Sequence, residues 1–135
     1  MIVIHYIIMG IKSSQTLVQE ALKQVKTLTP EEALQKSQNN ECSLIDIRDF
    51  NELEREGRIE NSLHVSRGLL EFSIHPQSPF VKRENLDLNK ELILFCAAGG
   101  RSALAAKTLK DMGFEKVSHI EGGFGLMKEK GFKVV

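Results

Sequence analysis

Leu92-Ile93-Leu94-Phe95-Cys96-Ala97-Ala98-Gly99-Gly100-Arg101-Ser102 reads as a strand, a tight loop and the start of a helix. The first four residues are a continuous apolar run, as expected of a central parallel strand buried on both faces. From Ser102 to Met112 the pattern becomes helical, with Ala105, Leu109 and Met112 on one face and Gly113 as a stop. In open α/β sheets, ligands bind at the edge where such strands end.

Outward from this unit the same alternation recurs. Upstream, Leu17, Val18, Ala21, Leu22, Val25 and Leu28 recur at helical spacing and predict a helix over Thr16–Lys26. Thr29-Pro30-Glu31-Glu32 starts a second helix with a capping box and a proline in its first turn, running to about Ser37. Ser43–Ile47 is a strand, Asp49–Glu56 a charged helix ending near Gly57, and Ser62–Val65 a second strand. Arg67–Asn89 is mostly irregular, with a short helix over Leu69–Phe72. Downstream, Lys116–Ile120 is a strand and Phe124–Lys130 a closing helix. Strands alternating with helices imply an α/β fold with a parallel sheet covered on both faces.

The 135 residues suffice for one ordinary domain, and 41% are apolar. Lys+Arg and Asp+Glu are both 18, so no global positive field gathers nucleic acid or an anionic membrane. Any anion site is therefore local. The mostly apolar run Met1–Gly10 is shorter than the ~20 residues of a membrane-spanning helix. It also lacks the basic flank and cleavage site of a signal peptide. It reads as an edge strand, a tail, or residues upstream of a start at Met9. No stable membrane insertion and a cytoplasmic location are expected. Cys42 and Cys96 have neither CxxC spacing nor enough partners for a disulfide framework, and Cys42 reads as a core residue. His5, His64, His75 and His119 are scattered and read as ordinary polar residues rather than metal ligands.

Four features converge after Phe95. Cys96 is a thiol at a strand end. Ala97, Ala98, Gly99 and Gly100 are small enough for backbone amides to turn toward a ligand. The helix from Ser102 points its positive end at the same place. Arg101 adds a permanent fork of donors for an oxyanion. Such surroundings are expected to lower the thiol pKa from about 8.5 and to hold an anionic substrate against the sulfur.

With these residues in view, the sequence resembles the rhodanese family over about Leu28 to Val135. The matching pieces are Leu44-Ile45-Asp46-Ile47-Arg48, Gly57-Arg58-Ile59-Glu60-Asn61-Ser62, Arg67-Gly68-Leu69-Leu70-Glu71-Phe72, the Cys96–Ser102 loop and Glu121-Gly122-Gly123-Phe124. The resemblance implies a rhodanese-like three-layer domain: a central parallel sheet of about five strands with helices on both faces. It also implies a domain over 28–135, preceded by an N-terminal extension with a helix over 1–27. By resemblance, Cys96 attacks the outer sulfur of thiosulfate or a similar donor and holds it as a persulfide for cyanide or a thiol. Arg101 and the amides of Ala97, Ala98, Gly99, Gly100 and Ser102 then bind the donor and the persulfide, with no metal or organic cofactor. Asp46 and Arg48 read as an ion pair holding loops, and Arg67 as a residue passing near the loop; all three are candidate supports of the site. The chain departs from the family's Gly-His-Ile-Pro-Gly-Ala turn at Gly57–Ser62. It also has no Trp, so Leu126 or Met127 is expected to fill that core position.

Two other functions stand beside sulfur transfer from a small donor. A sulfur relay would use the same Cys96 with a protein donor or acceptor. Phosphatases of this fold, and arsenate reduction, use a loop one residue longer than the Cys-x4-Arg of Cys96–Arg101.

Overall fold

The apolar run Leu92–Phe95 is the middle of a sheet. In the computed structural model, which describes residues 9–135, the elements in chain order are α1 (Ser14–Leu22), β1 (Lys26–Leu28), α2 (Pro30–Gln38), β2 (Cys42–Asp46), α3 (Phe50–Glu56) and β3 (Leu63–His64). A 3-10 turn (Arg67–Leu69) leads into α4 (Leu70–Ser73), then α5 (Pro79–Arg83), β4 (Glu91–Phe95), α6 (Gly100–Asp111), β5 (Val117–Ile120) and α7 (Gly123–Glu129). The apolar segment at Met1–Gly10 lies outside the described residues as far as Ile8.

All five strands are parallel, in the order β1-β5-β4-β2-β3. Side chains of a strand alternate between faces, and β4 is apolar on both. Leu92 and Leu94 join Ile45 and Ile47 against Leu70, Val81, Ala105 and Leu109, from α4, α5 and α6. Ile93 and Phe95 join Leu44 against Ala33 of α2 and Phe124 and Met127 of α7. Met127 is fully buried and Leu126 only partly, so Met127 sits in the core.

Local signals place several boundaries. Thr29 Oγ1 accepts the Glu32 N–H at 3.1 Å while Glu32 Oε1 accepts the Thr29 N–H at 2.9 Å, the capping box expected at α2. Asn61, where the family's turn has glycine, takes φ 66°, a left-handed conformation that asparagine tolerates.

Three elements differ from the sequence reading. The first helix stops at Leu22, and Lys26–Leu28 is an edge strand. Only Leu28 of that strand is buried, so its three residues carry no period of their own, and pairing with β5 defines it. Pro79–Arg83 is helical, with Ser78 Oγ accepting the Val81 N–H at 3.2 Å. Met112 follows the last residue of α6 and is 42% exposed, so it stays outside the core that Ala105 and Leu109 join.

Candidate active site

From β2 the chain moves outward to β3, and from β4 it moves the other way to β5. Connections that diverge like this leave a crevice between the C-terminal ends of the two strands. Cys96 leaves β4 at this crevice, and the segment after β2 brings Arg48 and Glu52.

Cys96 Sγ accepts two backbone hydrogen bonds, from the Gly99 N–H at 3.1 Å and the Ser102 N–H at 3.4 Å. Gly99 caps α6 in a left-handed conformation, φ 112°, where any side chain is strained. The positive end of the 12-residue helix α6 therefore starts beside the sulfur. The opposite side of the loop is held by α7. The Phe124 N–H donates to Cys96 O at 2.8 Å and the Gly125 N–H to Ala97 O at 3.4 Å. The backbones are so close that a Cβ on Gly123 would lie 2.4 Å from Cys96 O. That contact is the physical reason for the Gly122-Gly123-Phe124 motif. It clamps two loop carbonyls while loop amides face the sulfur.

Arg101 is oriented by a residue the sequence reading missed. Its Nη1 donates to Glu52 Oε2 at 3.0 Å and its Nη2 to Glu52 Oε1 at 2.9 Å. The ion pair bridges the segments that follow β2 and β4. The guanidinium holds the Glu52 carboxyl below the usual carboxylate range, against the opposing effect of burial. The fork expected to face an oxyanion is thus occupied by a carboxylate. Glu52 stands 49 positions from Arg101, and in the sequence it looks only like the helix-start glutamate of α3, which it also is.

Asp46 and Arg48 form a fully buried ion pair, with Nη2 of Arg48 2.8 Å from Asp46 Oδ2. Nη2 also donates to Gly57 O at 2.9 Å, and the guanidinium lies 3.9 Å over the Phe124 ring. The pair ties the ends of β2 and α3 to α7, the helix that clamps the loop. Arg67 is not brought to the sulfur. It donates to Glu71 at 2.9 Å and to Thr108 Oγ1 at 3.1 Å, the latter about 12 Å along α6 from Gly100. Ala98 is exposed, while Ala97, Gly99 and Gly100 are half-buried. His119 is 1% exposed, and its Nδ1 lies 2.9 Å from Ser102 Oγ. Cys42, at the other end of the sheet, is a free thiol pushed up to about 11, mainly by burial and then by Glu91.

A rhodanese-like domain family model matches residues 29–130. The chain belongs to the rhodanese family. Among the rhodanese relatives is the thiosulfate sulfurtransferase GlpE of Glaesserella parasuis, 29% identical over 97 residues, which cover 72% of this chain and 81% of that protein. The solution structure of the 30 kDa polysulfide-sulfur transferase homodimer of Wolinella succinogenes is similar with a TM-score of 0.70 and 33% identity, over 90% of this chain and 85% of that one. A protein of unknown function from Rhodopseudomonas palustris, described as a possible tyrosine phosphatase, is similar with a TM-score of 0.80 and 43% identity, over 92% and 95% of the two chains. Rhodanese membership and these sulfurtransferase relatives support sulfur transfer as the general chemistry. Among the described residues, no helix is long and apolar enough to cross a membrane.

Proposed function

We propose that the chain moves a sulfane sulfur from thiosulfate, or a related anionic donor, to a thiol or cyanide through a persulfide on Cys96. The Cys96 thiolate attacks the outer sulfur of thiosulfate, the S–S bond of the donor breaks, and sulfite leaves with the electron pair. The acceptor then takes the outer sulfur, giving thiocyanate from cyanide, and the thiolate returns. The observation that carries this reading is the convergence of the Gly99 and Ser102 amides on Cys96 Sγ at the head of α6. They supply two main-chain donors to the sulfur, and among the described residues no side chain donates to it. Arg101 stands at the rim with both Nη groups on Glu52, so its contact with the incoming anion requires the donor to displace that carboxylate.

The similarity to a chain described as a possible tyrosine phosphatase makes phosphoester hydrolysis the second reading. The short arc of four small residues between Cys96 and Arg101 favours sulfur. A phosphoryl group needs three equatorial oxygens satisfied at once and hence a wider ring. A paired assay of thiosulfate:cyanide transfer and aryl-phosphate hydrolysis on the purified protein separates them. We expect sulfur transfer and no useful hydrolysis. Hydrolysis exceeding transfer in kcat/KM would replace the proposal with the phosphatase reading. Challenge with candidate protein persulfides in place of thiosulfate tests the sulfur-relay version of the same chemistry.

A further inference from the structure

His119 sits on β5 in register with Thr27 of β1, so the two side chains share a face of the sheet. Ser102 lies in the first turn of α6. A continuous chain of polar contacts joins the three. Thr27 Oγ1 lies 2.8 Å from His119 Nε2, His119 Nδ1 lies 2.9 Å from Ser102 Oγ, and Ser102 Oγ lies 3.2 Å from Gly99 O. His119 and Ser102 are buried.

Gly99 O also accepts the Ala103 N–H at 3.2 Å, so it is satisfied whichever way the Ser102 hydroxyl points. With the ring proton on Nδ1, the Ser102 hydroxyl accepts from His119 and donates to Gly99 O; with it on Nε2, the hydroxyl donates to Nδ1 and Thr27 Oγ1 accepts from Nε2. In both arrangements His119 Nδ1 holds the Ser102 hydroxyl and Thr27 holds the other ring nitrogen. Burial lowers the His119 pKa, which agrees with a neutral ring.

Gly99 and Ser102, the two residues joined by the Ser102 hydroxyl, are the two whose N–H groups reach Cys96 Sγ. We propose that His119 is a positioning residue whose Nδ1 holds the Ser102 hydroxyl beside Gly99 and thereby keeps both amides aimed at the sulfur. Thr27 fixes the ring through Nε2 from the N-terminal strand, outside the segment matched to the family. The proposal deepens the reading of Cys96 as the nucleophile and rests on it.

Two substitutions separate positioning from packing. Asparagine places its amide near the position of Nδ1 and can still hold the Ser102 hydroxyl. Glutamine reaches the position of Nε2 and leaves Ser102 without that partner. The bimolecular rate of Cys96 alkylation by iodoacetamide at pH 7.5, followed by mass spectrometry of the intact and digested protein, reports the state of the thiol whether or not it transfers sulfur. We expect His119→Asn to stay within two-fold of the wild type. His119→Gln should lose at least five-fold, and lose thiosulfate loading by the same factor, with the thermal midpoints of the two variants close together. Equal rates for the two variants would overturn the proposal. A wild type that fails to transfer sulfur but keeps the Asn–Gln contrast in alkylation would refute the functional reading and leave the positioning intact.

Discussion

Cys42 opens β2 and Cys96 follows the adjacent strand β4, and both are buried. Cys42 opens β2 in register with Glu91, a carboxylate that also accepts from Ser118 and pairs with Lys36 and Lys26. Burial and that negative charge keep Cys42 a neutral thiol at ordinary pH, a small hydrophobe in the core. Cys96 follows β4 at the opposite edge and meets two amides and a helix N-terminus. The difference comes from chain direction. In a parallel sheet, every helix that follows a strand begins at the same edge and presents its free N–H groups there. The polarity of the fold, more than the residue type, gives the sulfur at one edge main-chain donors.

The severest way to break this contrast is to remove each sulfur in turn. Cys96→Ser should lose the added sulfur completely after thiosulfate treatment, by mass spectrometry, because a hydroxyl is a far poorer acceptor at neutral pH. Cys42→Ser should load like the wild type. An adduct on Cys42 would erase the distinction. A smaller effect is expected at Arg101, where a charge-assisted contact to the donor is worth about 1.5–3 kcal/mol. Arg101→Ala should therefore lower kcat/KM for thiosulfate roughly 10- to 150-fold. Arg101→Lys should recover only part of this, since an ammonium cannot make the fork. Lys36→Ala, at the Cys42 edge, should leave kcat/KM unchanged.

The smallest effect is in stability against pH, read from urea midpoints. Burial depresses the His119 pKa in the folded state, so the unfolded chain binds its proton first. Stability from the Cys96 side should decline as pH falls below about 6.5, the ordinary histidine value, and His119→Asn should remove that decline. Glu91 is pushed up by burial, but Ser118 and the two lysines outweigh this and hold its carboxyl below the ordinary carboxylate range. Its contribution, from the Cys42 side, is present above the unfolded carboxylate pKa and is lost only as pH falls through the lower folded value. Glu91→Gln should flatten the profile in that more acid window and leave the histidine window untouched.

The centre of the sheet was readable because β4 and β2 carry runs of buried apolar residues, and α2 because its capping box spans four residues. Strand β1 was hidden because two of its three residues are exposed and it trails a helical period. At the site, the loop from Cys96 to Ser102 was legible as one contiguous segment. Glu52 and His119 were not, since they lie 49 and 17 positions from the loop residues they touch. Arg67 looked like a site residue, yet Thr108 and Glu71 draw its guanidinium to the far part of α6.

The donors at Cys96 belong to the main chain, and this has an evolutionary consequence. A cradle of amides stays in place when side chains change, provided the backbone angles survive. Substitution should therefore be restricted at Gly99 and Gly123, where a Cβ meets strain or the Cys96 carbonyl. Ala98 is exposed, and the N–H groups on Cys96 Sγ are those of Gly99 and Ser102, so the Ala98 side chain is free to vary. Mutational scanning would show the two glycines as intolerant and Ala98 as permissive. Ala98 is thus a position at which descendants of this chain can change the surface of the loop while the amides around Cys96 stay in place.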